Sequence, residues 1–72
     1  MNKDQFSLDG HPFIELNNLI KILGWANSGG EAKARIADGY VKVDGVVELR
    51  KRCKIRQGQV VECEMGSAVV TD

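Results

Sequence analysis

The spacing of apolar residues along this chain changes as its structure is expected to change. Gln5-Phe6-Ser7-Leu8 alternates polar and apolar, which predicts a short strand ending at the turn pair Asp9-Gly10. Phe13-Ile14-Glu15 follows, in a position to pair back with that strand. The period then lengthens. Leu16, Leu19, Ile20 and Leu23 stand at i, i+3, i+4 and i+7, one face of a helix. Ile22 widens this stripe, Lys21 lies away from it, Asn17 is a candidate cap and Gly24 a candidate stop.

A second helix is better marked at both ends. Ser28-Gly29-Gly30-Glu31 has the form of a capping box, in which the first and fourth residues satisfy each other's backbone donors. Ala32, Ala34, Ile36 and Ala37 follow, and Asp38-Gly39 closes the element, with Gly39 able to take the left-handed conformation after the helix end. Alternation then returns. Tyr40-Val41-Lys42-Val43 and Val46-Val47-Glu48-Leu49 flank Asp44-Gly45, the strongest short signal for a hairpin. Val61, Cys63 and Met65 share one parity and Glu62 and Glu64 the other, as in a strand with one wet face. The expected fold is a single α+β domain over residues 1–72, with a helix pair at about residues 17–38 packed on a small, mainly antiparallel sheet.

Composition narrows the functional classes. A chain of 72 residues builds one small domain, and 43% hydrophobic residues is ordinary for a soluble globular fold. The polar N-terminus carries no apolar signal core, and no apolar run approaches the roughly 20 residues that span a bilayer, so a cytoplasmic location is expected and no membrane partner. Cys53 and Cys63 are then expected as free thiols acting as small hydrophobes. One histidine, His11, and no Cys-x-x-Cys spacing leave too few ligands for zinc. No nucleophile–base pairing, phosphate-binding loop or dinucleotide fingerprint is present, so neither an enzyme nor a cofactor is expected.

The formal net charge is zero, which alone argues against a polyanion partner. Its distribution reverses that argument. Residues 1–32 carry −2, residues 33–56 carry +5 and residues 57–72 carry −3. The field a polyanion meets is set by the basic middle. Within it, Arg50-Lys51-Arg52-Cys53-Lys54-Ile55-Arg56 has five cations in seven residues and no acid. In an extended backbone Cys53 and Ile55 point inward, while Arg52, Lys54 and Arg56 line up outward. A ladder of like charges repels itself unless a partner supplies anions, as a phosphate backbone does; the plainer reading is a solvated charge run.

Other residues offer similar alternatives. Ser28, Gly29 and Gly30 open a helix, where free N–H groups favour an anion, although Glu31 opposes one and a simple cap explains the same residues. Lys33, Arg35 and Lys42 are candidate members of a common cationic face or ordinary surface cations, Arg35 with its stem packed and its head in solvent. Of the four aromatics, Phe6, Phe13, Trp25 and Tyr40, at least three are expected to be buried, with Trp25 the candidate for stacking on a base.

These residues together resemble the S4 RNA-binding domain and its so-called αL motif. Ser28 and Ala32, then Ile36 and Gly39, follow the helical part of that pattern. Val41, Val43 and Gly45 follow the Val-x-Val-Asn-Gly part, with Asp44 in place of Asn. Ile55, Gly58 and Val61 follow the last block, with Gln59 in place of Asp, and the register from Leu16 to Cys63 holds without a gap. Gly29 stands where the family often has Arg, so the usual phosphate contact at that corner is not implied here; Arg35 replaces an aliphatic residue and Lys51 a proline. These departures, with Phe6-Ser7-Leu8, Gly24-Trp25 and the run from Glu48 to Lys54, look like the compact bacterial YbcJ-type subgroup. The resemblance implies a stand-alone, non-catalytic module for structured or ribosomal RNA. A ribosomal or other protein partner is allowed, and a monomer is favoured. Its RNA face would draw on Ser28, Gly29, Gly30, Lys33, Arg35, Lys42, Arg50, Lys51, Arg52, Lys54 and Arg56. The competing expectation is a protein-interaction module that docks an acidic partner on the same basic strand.

Overall fold

In a strand successive side chains face opposite ways, so one parity of each strand supplies the core. A computed structural model describes residues 3–72. It contains β1 (Lys3–Ser7), β2 (Ile14–Glu15), α1 (Leu16–Ile22), α2 (Gly29–Ala37), β3 (Lys42–Val43), β4 (Val46–Val47), β5 (Lys54–Ile55), β6 (Val60–Cys63) and β7 (Gly66–Thr71). Five strands form a sheet in the order β1-β7-β6-β3-β4, and β2 and β5 form a separate antiparallel pair. The fold is the α+β arrangement that the sequence predicts, and the larger sheet is antiparallel except where β1 runs parallel to β7.

The core lies between helices and sheet. Leu16, Leu19 and Ile20 of α1 and Ala32 and Ile36 of α2 have no exposed surface, and they meet Val41, Ile55, Val61, Ala68 and Val70. The expected stripe on α1 is thus correct except for Ile22, which is 59% exposed. Ile22 follows the buried Ile20 by two residues, which turns it to roughly the opposite side of the helix.

Local chemistry fixes the ends of the elements. Ser28 caps α2, its Oγ accepting the Glu31 N–H at 3.1 Å. Gly39 follows at φ +82, and its N–H donates to the Ile36 carbonyl at 3.1 Å. Asp44 and Gly45 both have positive φ, 53 and 84, as a two-residue hairpin loop with matching twist requires. Asp44 then ties that tip to β6, its Oδ1 accepting the Val60 N–H at 2.9 Å.

Three expectations are corrected. Phe13-Ile14-Glu15 does not pair with the first strand; Ile14 lies opposite Ile55 and Glu15 opposite Lys54. The first strand instead pairs with β7, Gln5 opposite Val69 and Phe6 opposite Val70. Asn17 does not cap α1. It sits inside the first turn, buried, and its Oδ1 has no hydrogen-bond partner. Met65 does not extend the strand parity, because Glu64 and Met65 form the turn into β7 and Met65 is 52% exposed.

Candidate functional site

The residues that open α1 determine where the basic run goes. The first N–H groups of any helix lack partners within it. In α1 no side chain supplies them. The Leu16 N–H donates to the Cys53 carbonyl at 2.9 Å, and the Asn17 N–H to the Lys51 carbonyl at 3.0 Å. The basic segment is therefore the cap of α1, anchored by its backbone while its side chains stay outside.

That anchoring gives the run a shape other than a continuous strand. Lys51 and Arg52 lie in a turn, and only Lys54 and Ile55 are paired as β5. The alternation nevertheless holds over the second half: Ile55 is fully buried, Cys53 half-buried, and Arg52, Lys54 and Arg56 are exposed. Arg50, Arg52, Cys53, Lys54 and Arg56 line an open cleft of about 470 Å³. A second cleft of about 520 Å³ shares Arg50, Cys53, Lys54 and Arg56 with it and continues toward Val46, Glu48 and Gln57.

The cations of this cleft have unequal surroundings. Arg50 is clamped by Glu48, its Nε donating to Oε2 and its Nη2 to Oε1, both at 3.0 Å. The Arg50 backbone N–H also donates to Oε2 at 2.9 Å. These bonds hold the Glu48 carboxyl at about 2, well below its ordinary value of 4.5. Arg50 Nη2 also approaches Cys53 Sγ at 3.6 Å. Burial pushes the Cys53 thiol up, and the adjacent Glu48 carboxylate adds to that. Lys54 and Arg56 stand over the Phe13 ring, at 5.0 and 5.9 Å from its centroid. Arg52, Lys54 and Arg56 form no ion pair among the described residues.

The remaining predicted residues are not in this cleft. Lys51 is exposed beside it. Lys33 is half-buried on α2 and lines neither basic cleft. Arg35 is held by Glu31 at 3.3 Å and by Glu64 at 3.6 Å, so its charge ties α2 to the β6–β7 turn rather than reaching solvent freely. Lys42 projects outward as expected, into a separate groove with Tyr40, Glu62, Cys63 and Glu64. At the start of α2, a side chain added at Gly29 would meet nothing within 4 Å, so packing does not demand glycine there.

The aromatic expectations also change. Trp25 is buried, 6% exposed, which removes it as a stacking platform. Phe6 and Phe13 are half-buried rather than buried, and Tyr40 is 54% exposed. Both cysteines are free thiols, each half-buried.

The comparisons with known proteins agree with this fold. The S4 domain profile matches residues 6–71. The chain belongs to the S4 domain family. Within that family it is 61% identical over 56 residues to "Putative RNA-binding protein YbcJ" of Escherichia coli (strain K12), covering 78% of this chain and 80% of that one. The match to "Uncharacterized protein YbcJ" of Shigella flexneri has the same identity and extent. A solution structure of YbcJ from E. coli, reported to reveal an ALFAL motif involved in RNA-binding, superposes with a TM-score of 0.76 at 51% identity. That superposition covers all of this chain and 91% of the other.

Sequence reasoning passes over two residues around this cleft. Glu48 stands two positions before Arg50, just outside the all-basic run, and the charge count of that run does not include it. Phe13 gave no local signal, since the β2–β5 pairing that brings it to Lys54 and Arg56 joins distant parts of the chain.

Proposed function

We propose that this S4-family chain binds structured RNA through the cleft formed by residues 50–56. The observation that carries this reading is the convergence of Arg52, Lys54 and Arg56 on one open surface, exposed and without acidic partners among the described residues. Crowded cations raise one another's energy, and phosphates relieve that repulsion while releasing their own counterions. The name of the E. coli relative points the same way.

Lysine and arginine heads on a short strand and turn meet phosphates rather than base edges, so discrimination rests mainly on RNA shape. Ribosomal RNA fits this requirement as one abundant structured RNA. Lys51 contributes from the rim; Ser28, Gly29, Gly30, Lys33 and Lys42 supply secondary contacts for an RNA large enough to extend past the cleft.

Titration of an RNA hairpin and an unpaired strand of equal length tests this. Wild type should prefer the hairpin, and Arg52→Glu and Lys54→Glu, each verified as folded, should weaken binding. Unchanged affinity in both variants would remove the cleft from the site. An acidic protein that competes better than the hairpin at the same salt would favour the protein-docking alternative instead.

A further inference from the structure

Arg50 differs from the other cations of the cleft in a way that suits it to a different ligand group. Its Nε–Nη2 edge, one of the two forks with which a guanidinium grips a phosphate, is already filled by both oxygens of Glu48, at 3.0 Å each. The same side chain is 77% exposed. A guanidinium held along one edge and open elsewhere is a fixed plate with an accessible face. Planar, weakly hydrated arginine stacks plane on plane with aromatic faces, whereas lysine offers only a point charge. Arg50 also lines both clefts.

The second cleft keeps the cations Arg50, Lys54 and Arg56 and adds groups suited to a base. Beyond Arg50 it offers Val46, 69% exposed, and the exposed Gln57, whose side chain has no hydrogen-bond partner among the described residues. The carboxylates of Glu48 and Asp44 also border it and repel phosphate. Its volume of about 520 Å³ lies within the range of small-molecule sites.

We propose that the Arg50–Glu48 plate stacks on one unpaired nucleobase, which enters the second cleft beside Val46 while the flanking phosphates follow Arg52, Lys54 and Arg56. This rests on the RNA-binding reading and adds to it a preference for a helix interrupted by a bulged nucleotide. Only a base outside the helical stack presents a face to a side chain. Gln57 is positioned to hydrogen-bond the edge of that base, and Glu48 is a positioning residue that keeps the guanidinium in plane.

Two RNA hairpins, identical except that one stem carries a single bulged nucleotide, separate the two levels of this account. Wild type is expected to bind the bulged hairpin about fivefold or more tightly than the paired one, the scale of one stacked base. Arg50→Lys keeps the charge and loses the plate, so it should bring the two affinities together without moving the salt slope. Arg52→Ala should lower the salt slope by about one for both hairpins and leave their ratio intact. Glu48→Gln should raise the slope by about one, as Arg50 becomes a free cation. Equal binding of both hairpins by wild type, or a preference that survives Arg50→Lys, overturns the base site and leaves RNA binding standing. Failure to bind either hairpin overturns both.

Discussion

Leu19 and Glu48 show how much individual residues carry in so small a fold. Leu19 has no exposed surface and sits where α1 meets the rest of the core. Leu19→Ala should cost about 2–5 kcal/mol, lost transfer energy plus a cavity, which threatens the stability of the whole domain. Chemical denaturation checks this, and an unshifted midpoint would place the core elsewhere. Glu48 makes a prediction in pH. Its carboxyl is held at about 2 in the folded chain against an ordinary 4.5, so its contribution to stability is complete above the ordinary value. As pH falls below that value the unfolded chain takes up the proton first, and the contribution is gone once pH passes below the folded value. Carbon-detected NMR should find the Glu48 carboxyl titrating near 2. Arg50→Ala should move it back toward 4.5, and an ordinary midpoint in wild type would mean that the clamp does not form in solution.

Elements set by neighbouring residues were legible in the sequence, and elements set by distant ones were not. The apolar face of α1, the capped helix α2 and the Asp44-Gly45 hairpin follow from spacing, caps and turn residues within a few positions, whereas the start of α1 is set by carbonyls far along the chain. β7 went unread because Ser67-Ala68-Val69-Val70-Thr71 alternates weakly, and its parallel partner β1 lies at the far end of the chain. The pairing of β2 with β5 is equally non-local, and it sets Phe13 beneath Lys54 and Arg56. Cation–π contacts at exposed positions are worth about 0.5–1 kcal/mol each. Phe13→Leu should therefore lower folding stability by about 1–2 kcal/mol for the two contacts, read from the midpoint of chemical denaturation, and Phe13→Trp should restore it. An unshifted midpoint in the Leu variant would mean that the ring holds neither cation in solution.

At the scale of the molecule, charge asymmetry matters more than charge total. A chain of zero net charge gathers a surplus of +5 into residues 33–56. The structure then divides those cations: Arg35 and Arg50 are engaged by glutamates, and Arg52, Lys54 and Arg56 are left together on one surface. The sequence showed where the cations cluster but not this division, because ion pairing depends on which acids the fold brings near. Among the described residues no disulfide reinforces the fold, as Cys53 and Cys63 are free. Alkylation under denaturing, non-reducing conditions should add two adducts by mass, one each at Cys53 and Cys63. The absence of adducts would mean a disulfide.

The central claim is that the unpaired cations of the cleft meet RNA phosphates, and the salt dependence of hairpin binding tests it most directly. Each phosphate contact made by a free cation contributes close to one unit to the slope of log affinity against log salt concentration. Lys54→Ala should lower that slope by about one relative to wild type, whereas Arg35→Ala, which removes a cation already paired with Glu31 and Glu64, should leave it unchanged. Equal slopes for wild type and folded Lys54→Ala would contradict the account.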